Sequence, residues 1–141
     1  MKKYILWSIF LLIVGCGKKD GVHTEYFDDE KEYKYRERTY KDGIENGLFT
    51  QWWYKSEHKH MEGTYKDGKK DGLWTKWSDP DYNYSKIEKT YKDGIENGLQ
   101  TSWYENGQKK SEATYKEGKQ EGLWTSWYED GKKKQEGTYK D

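Results

Sequence analysis

The last stretch of the chain, EGLWTSWYEDGKKKQEGTYKD (121–141), repeats a phrase already present just before it, NGLQTSWYENGQKKSEATYKE (97–117). Working outward from these two, a Thr-Tyr-Lys start recurs at Thr39, Thr64, Thr90, Thr114 and Thr138, with spacings of 25, 26, 24 and 24 residues. Self-similarity at such a period marks a repeat architecture, in which one supersecondary unit cannot bury its apolar face alone and stacks on copies of itself. The segment 21–38 reads as a worn earlier copy: Gly21, Tyr26 and Phe27 stand roughly where Gly122, Trp127 and Tyr128 stand in the last full unit.

Every unit carries two turn signals. One is Asp/Glu-Gly, three residues and a second Gly: DGIENG (42–47), DGKKDG (67–72), DGIENG (93–98) and EGKQEG (117–122). The other is ENG (105–107) or EDG (129–131). Asn-Gly and Asp-Gly supply the positive φ angles of tight hairpins. Runs rich in Thr, Tyr and Trp lie between them, and these residues favour strands. Gly and Asn interrupt each helical window. The expectation is therefore all-β: an elongated antiparallel meander of about four 24–26-residue hairpin repeats, with nine or ten strands forming a ribbon about 45 Å long at roughly 4.8 Å per strand.

Period-two alternation divides each strand into faces. Leu-Thr-Trp recurs at 48-50-52, 73-75-77, 99-101-103 and 123-125-127. The intervening set varies: Phe49-Gln51-Trp53, Trp74-Lys76-Ser78, Gln100-Ser102-Tyr104 and Trp124-Ser126-Tyr128. Taking the constant set as packed gives an expected core of Tyr40, Trp52, Tyr65, Trp77, Tyr91, Trp103, Tyr115, Trp127 and Tyr139. Taking the variable set as exposed makes Phe49, Trp53, Trp74, Tyr104, Trp124 and Tyr128 the candidate binding residues, since Trp and Tyr dominate interaction hot spots. The charge ladders Glu37, Glu62, Glu88, Glu112, Glu136 and Lys41, Lys66, Lys92, Lys116, Lys140 are expected to point to solvent beside Thr39 and its equivalents.

Composition supports a thin, aromatic fold. Charged residues make up 37% and aromatics 18%, while hydrophobic residues total only 31%. Disordered chains are poor in aromatics, and large rings are the one apolar resource here. The formal net charge is zero, and without Lys2 and Lys3 acidic residues exceed basic ones by two. Nucleic-acid binding wants a basic excess, so no nucleic-acid partner is expected.

The first residues, MKKYILWSIFLLIVGC, read as an export leader: two lysines, a short apolar stretch, then Gly15 before Cys16. Ile13-Val14-Gly15-Cys16 resembles the lipobox of bacterial lipoproteins. The resemblance implies cleavage before Cys16, lipid attachment to it and a membrane partner through that lipid. It places the protein in a bacterial cell envelope: the outer membrane where two membranes exist, since Gly-Lys-Lys follows the cysteine, and otherwise the outer face of the cell membrane. Cys16 is the one cysteine, so no internal disulfide forms. The organisation is then a signal peptide over 1–15, an anchor linker with a degenerate first repeat over 16–38, and a repeat domain over 39–141.

That unit resembles the MORN-repeat variant of bacterial proteins, in its Tyr before a Gly turn, second Gly, and Leu/Trp strand with a closing aromatic. The resemblance covers 39–141 well and 21–38 weakly. It departs at SDPDYNYSKIEK (78–89), where Pro80 and two extra residues imply a longer loop. Catalysis is not expected: no nucleophile has a plausible base, no phosphate loop is present, and no cofactor is implied. His58 and His60 lack the further ligands a metal site needs. The reading is a membrane-anchored, non-catalytic scaffold binding a protein or an envelope surface. The alternatives are an antitoxin or immunity protein, which such family members are often labelled, and a cell-wall or glycan-binding repeat, whose Trp-x-x-Trp-Tyr-x-x-Gly spacing is faintly similar.

Overall fold

In a computed structural model, residues 17–78 and 85–139 are described. They form a single open antiparallel sheet of ten strands in chain order. The strands are β1 (Gly21–Tyr26), β2 (Lys34–Lys41), β3 (Ile44–Trp52), β4 (Lys59–Lys66), β5 (Lys69–Trp77), β6 (Lys86–Lys92), β7 (Ile95–Trp103), β8 (Lys109–Lys116), β9 (Lys119–Trp127) and β10 (Lys133–Tyr139). No helix occurs among the described residues. Cys16, Pro80 and Lys140, singled out by their sequence context, lie outside them.

The Asp-Gly signals are two-residue hairpin turns. Asp42 and Gly43, Asp67 and Gly68, Asp93 and Gly94, and Glu117 and Gly118 all have positive φ, between 49° and 86°. Positive φ at both central residues defines the type I′ turn, whose twist matches that of the flanking strands. The second Gly of each motif is not part of the turn. Arg38 pairs with Phe49 while Tyr40 pairs with Glu45, so two extra residues bulge from β3 around Asn46 and Gly47. The same two-residue insertion recurs in β5, β7 and β9.

The turns are also tied to one another. Gly68 N–H donates to the Glu45 carbonyl at 2.8 Å, Gly94 N–H to Lys70 at 2.8 Å, and Gly118 N–H to Glu96 at 2.9 Å. Each bond joins a turn to the second strand of the preceding Asp-Gly hairpin, so the turn margin is stitched across units. The opposite margin closes with longer loops held locally: Tyr104 N–H donates to the Gln108 carbonyl and Tyr128 N–H to that of Lys132.

The faces differ from the alternation argument. A two-residue turn sets an even position of one strand opposite an odd position of the next, so Tyr40 faces Glu45. The bulge adds an even number of residues and keeps that parity, so Tyr40 shares a face with Phe49 and not with Leu48. The core is accordingly on the aromatic face, where Tyr40, Phe49 and Trp74 are 8%, 7% and 4% exposed. Phe49 and Trp74, expected outside, are buried there. The expected core splits. Tyr40, Tyr65, Tyr91, Tyr115 and Tyr139 stand on the aromatic face, although Tyr139 in β10 is half exposed. Trp52, Trp77, Trp103 and Trp127 are partly buried on the opposite, aliphatic face.

Packing explains why the buried row varies. Phe49 faces Arg38 and Gly63, Trp74 faces Lys89, and Trp124 faces Ala113 and Gly137. A Cβ on Gly63 would lie 2.3 Å from the Trp74 ring, and one on Gly137 would lie 2.7 Å from Trp124. Each tryptophan ring therefore covers a strand glycine, and ring size in one strand is compensated in its neighbour. Phe49 and Trp74 meet over Gly63 with centroids 5.4 Å apart, and Tyr65 stands edge-on to Trp74 at 5.0 Å. The Trp74 indole N–H donates to the Thr64 carbonyl at 3.1 Å, which satisfies its one donor.

Candidate binding face

The aliphatic face is built as rows running across the strands. One row alternates aliphatic and threonine side chains: Val22 opposite Thr39, Leu48 opposite Thr64, Leu73 opposite Thr90, Leu99 opposite Thr114 and Leu123 opposite Thr138. The five aliphatics recur on every second strand, about 10 Å apart. They are between 47% and 72% exposed. Ile44 and Ile95, also half exposed, extend the row toward the turns, where their methyls approach Gly68 and Gly118. Nearly every aliphatic side chain of the sheet is thus displayed, the reverse of the usual distribution.

Beside this row runs a second, in which Thr24, Thr50, Thr75, Thr101 and Thr125 alternate with Glu37, Glu62, Glu88, Glu112 and Glu136. Thr75, Thr101 and Thr125 are buried. The third row alternates tryptophan and lysine. Trp52 pairs with Lys59, Trp103 with Lys86 and Lys109, and Trp127 with Lys133. Lys86 Nζ lies 4.2 Å from the Trp103 ring centre. The glutamates bind these lysines: Lys34–Glu37 at 2.7 Å, Lys59–Glu62 at 2.5 Å, Lys86–Glu88 at 2.8 Å, Lys109–Glu112 at 2.5 Å and Lys133–Glu136 at 2.6 Å. These exposed pairs contribute little stability individually. Together with the cation–π contacts they cover the tryptophans and leave the aliphatic row as the open apolar strip.

The turn margin bordering this strip alternates charge. Lys41, Lys66, Lys92 and Lys116 precede Asp42, Asp67, Asp93 and Glu117 directly. That balance gives no net attraction to a polyanion.

The remaining sequence-derived candidates scatter. Trp53 stacks on His60 with centroids 4.1 Å apart. Burial, and then the charge of Lys76, hold the His60 imidazole below its usual value, so this histidine packs as a neutral ring. Tyr104 donates its hydroxyl to the Trp127 carbonyl at 2.9 Å. Trp124 is partly buried over Gly137, and Tyr128 is half exposed near Lys134. The six residues do not form one patch. The leucines of the aliphatic row carried a legible signal, because the parity of the Asp-Gly turn puts Leu48, Leu73, Leu99 and Leu123 on the face of Thr39, Thr64, Thr90 and Thr114.

At the β1 edge the aromatic face carries an ion cluster. Arg36 and Arg38 both donate to Glu25, and Arg38 also donates to Glu45 at 2.9 Å. Burial alone would raise the Glu25 carboxyl, but hydrogen bonds and charge from Arg38 and Arg36 outweigh it and hold the group below its usual range. The segment before β1 is pinned to the first turn. Asp42 N–H donates to Asp20 at 2.6 Å, and Gly17 packs directly on Gly43.

Among the described residues no group of three or more His, Cys, Asp and Glu side chains is placed to hold a metal ion. No curated protein and no solved structure matches the chain. Two adjacent units of the chain, residues 96–117 and 120–141, match the family model of the MORN repeat variant.

Proposed function

We propose that the chain is a non-catalytic scaffold held at a bacterial membrane by a lipid on Cys16, which binds a protein partner along its aliphatic strip. Repeats of the matched kind serve as modules that bind membranes and proteins. The single observation carrying the reading is the row Val22, Leu48, Leu73, Leu99 and Leu123, exposed on one face. A row of exposed aliphatics recurring on every second strand of one face is unfavourable in water and marks an interaction surface. The balanced charges on its border suit a protein surface of mixed charge better than a polyanion.

A photo-crosslinking residue at Leu99 in the anchored protein is expected to capture a partner that the same residue at Ser126, on the aromatic face, does not. Equal capture from both faces, or none from Leu99, would refute the binding role. Incorporation of a fatty-acid analogue into the wild-type chain but not into Cys16→Ser tests the anchor separately.

A further inference from the structure

A small pocket of about 120 Å³ opens on the aromatic face between β5 and β6. Trp74, Ile87 and Tyr91 form its apolar wall, and three lysines, Lys70, Lys76 and Lys89, stand around it. Their charges are unevenly answered. Lys89 binds Glu96 at 2.5 Å. Lys70 and Lys76 have no ion pair with any carboxylate among the described residues. The Lys70 ammonium sits 4.3 Å from the Trp74 ring centre and 5.1 Å from that of Tyr91, so its neighbours are ring faces. Lys76 is exposed, but Lys70 is half-buried, and a partly desolvated cation without an ion pair is costly until an anion joins it. Burial, followed by the charge of Lys89, holds the Lys70 ammonium below its usual value, as expected of a cation short of a partner.

The pocket's size limits the ligand. A cavity of about 150 Å³ holds a benzene molecule, so this one admits an isobutyl or phenyl group and little more. We infer that the pocket binds a carboxylate carried on a small branched or aromatic body, with the carboxylate at Lys70 and the body against Trp74 and Ile87. Two sources share that chemistry: a free short-chain acid, and the C-terminal carboxylate of a peptide ending in leucine or phenylalanine. The site lies on the opposite face from the aliphatic strip and is independent of any partner there.

Calorimetric titration of the full chain tests the inference, with isovalerate and benzoate as free acids and an acetylated tetrapeptide ending in leucine as the peptide. Saturable binding is expected for at least one acid. It should weaken at least tenfold for the matching amide and at least tenfold in Lys70→Met, which keeps the apolar stem and removes the charge. Lys109→Met, on the opposite face, should bind as the wild type does. Tighter binding of the peptide acid than of isovalerate supports the pocket and assigns its occupant to a chain terminus; the reverse order supports it and assigns a free acid. No saturable binding by any acid, equal binding of acid and amide, or full binding by a Lys70→Met chain with wild-type circular dichroism would overturn the inference.

Discussion

Leu73 and Trp74 are consecutive in β5, yet Leu73 is 56% exposed and Trp74 is 4% exposed. The contrast holds for the two faces generally. On the aromatic face large rings lie over strand glycines and against one another, and that single layer supplies the buried apolar core. On the aliphatic face the middle row is threonine and glutamate, and the side chains that would fill an ordinary core are displayed. The difference teaches that a one-layer sheet uses rings for stability and leaves its aliphatics for contact. A ring can lie flat over its neighbour and bury both, while a leucine on an open sheet has nothing above it.

The largest expected effect comes from removing the central ring. Trp74→Ala should cost about 4 kcal/mol, measured as a fall in the urea midpoint. A cost below about 1 kcal/mol would contradict the core assignment. Gly63→Val attacks the same contact from beneath, because the Trp74 ring occupies the space of a Cβ. It should cost about 3 kcal/mol by forcing the ring aside, with loss of near-ultraviolet dichroism.

An intermediate effect belongs to the ion cluster that closes the aromatic face at β1. The Glu25 carboxyl is lowered in the folded state. Its contribution should be complete above the usual carboxylate range and be lost as pH falls through that range and below it. The protection of amides in β1 and β2 against their intrinsic exchange rates should fall on acidification, and Glu25→Gln should flatten that pH dependence. The smallest expected effect on stability is the one that sharpens the comparison most. Leu73→Thr should change the urea midpoint by less than the equivalent of about 0.5 kcal/mol, and combined with Leu48→Thr it should abolish capture by the crosslinking residue at Leu99. A large loss of stability would mean that the strip is structural.

Much of this fold could be read from residue order. Thr-Tyr-Lys at a period near 25 residues and the two turn signals per unit identify hairpins in series, and the meander follows. The faces were also accessible: a two-residue Asp-Gly turn fixes that Tyr40 sides with odd positions of β3, so Phe49 joins it. Treating DGIENG as one long turn hid that parity. Variation among Phe49, Trp74, Gln100 and Trp124 resembles the freedom of a solvent-facing row. For Phe49, Trp74 and Trp124 it reflects size compensation with Gly63, Ala113 and Gly137, which emerges only once the register is known. The lysine-lined pocket was not legible, because Lys70 belongs to a turn motif while Lys89 belongs to a charged run nearly one unit away.

The bonds from Gly68, Gly94 and Gly118 back to the preceding hairpin have a consequence for how such a chain can change. Lengthening an Asp-Gly corner would break a backbone link between neighbours, whereas the far margin is joined by side chains, Tyr104 to the Trp127 carbonyl and Asn106 to that of Glu129. The one long unit follows this division: its additional residues fall between β5 and β6, on the margin where the described links between units are made by side chains. The molecule therefore grows by whole modules along its axis and lengthens at least cost along the border whose links are side chains, where foreign sequence could be inserted with the ten-strand order intact.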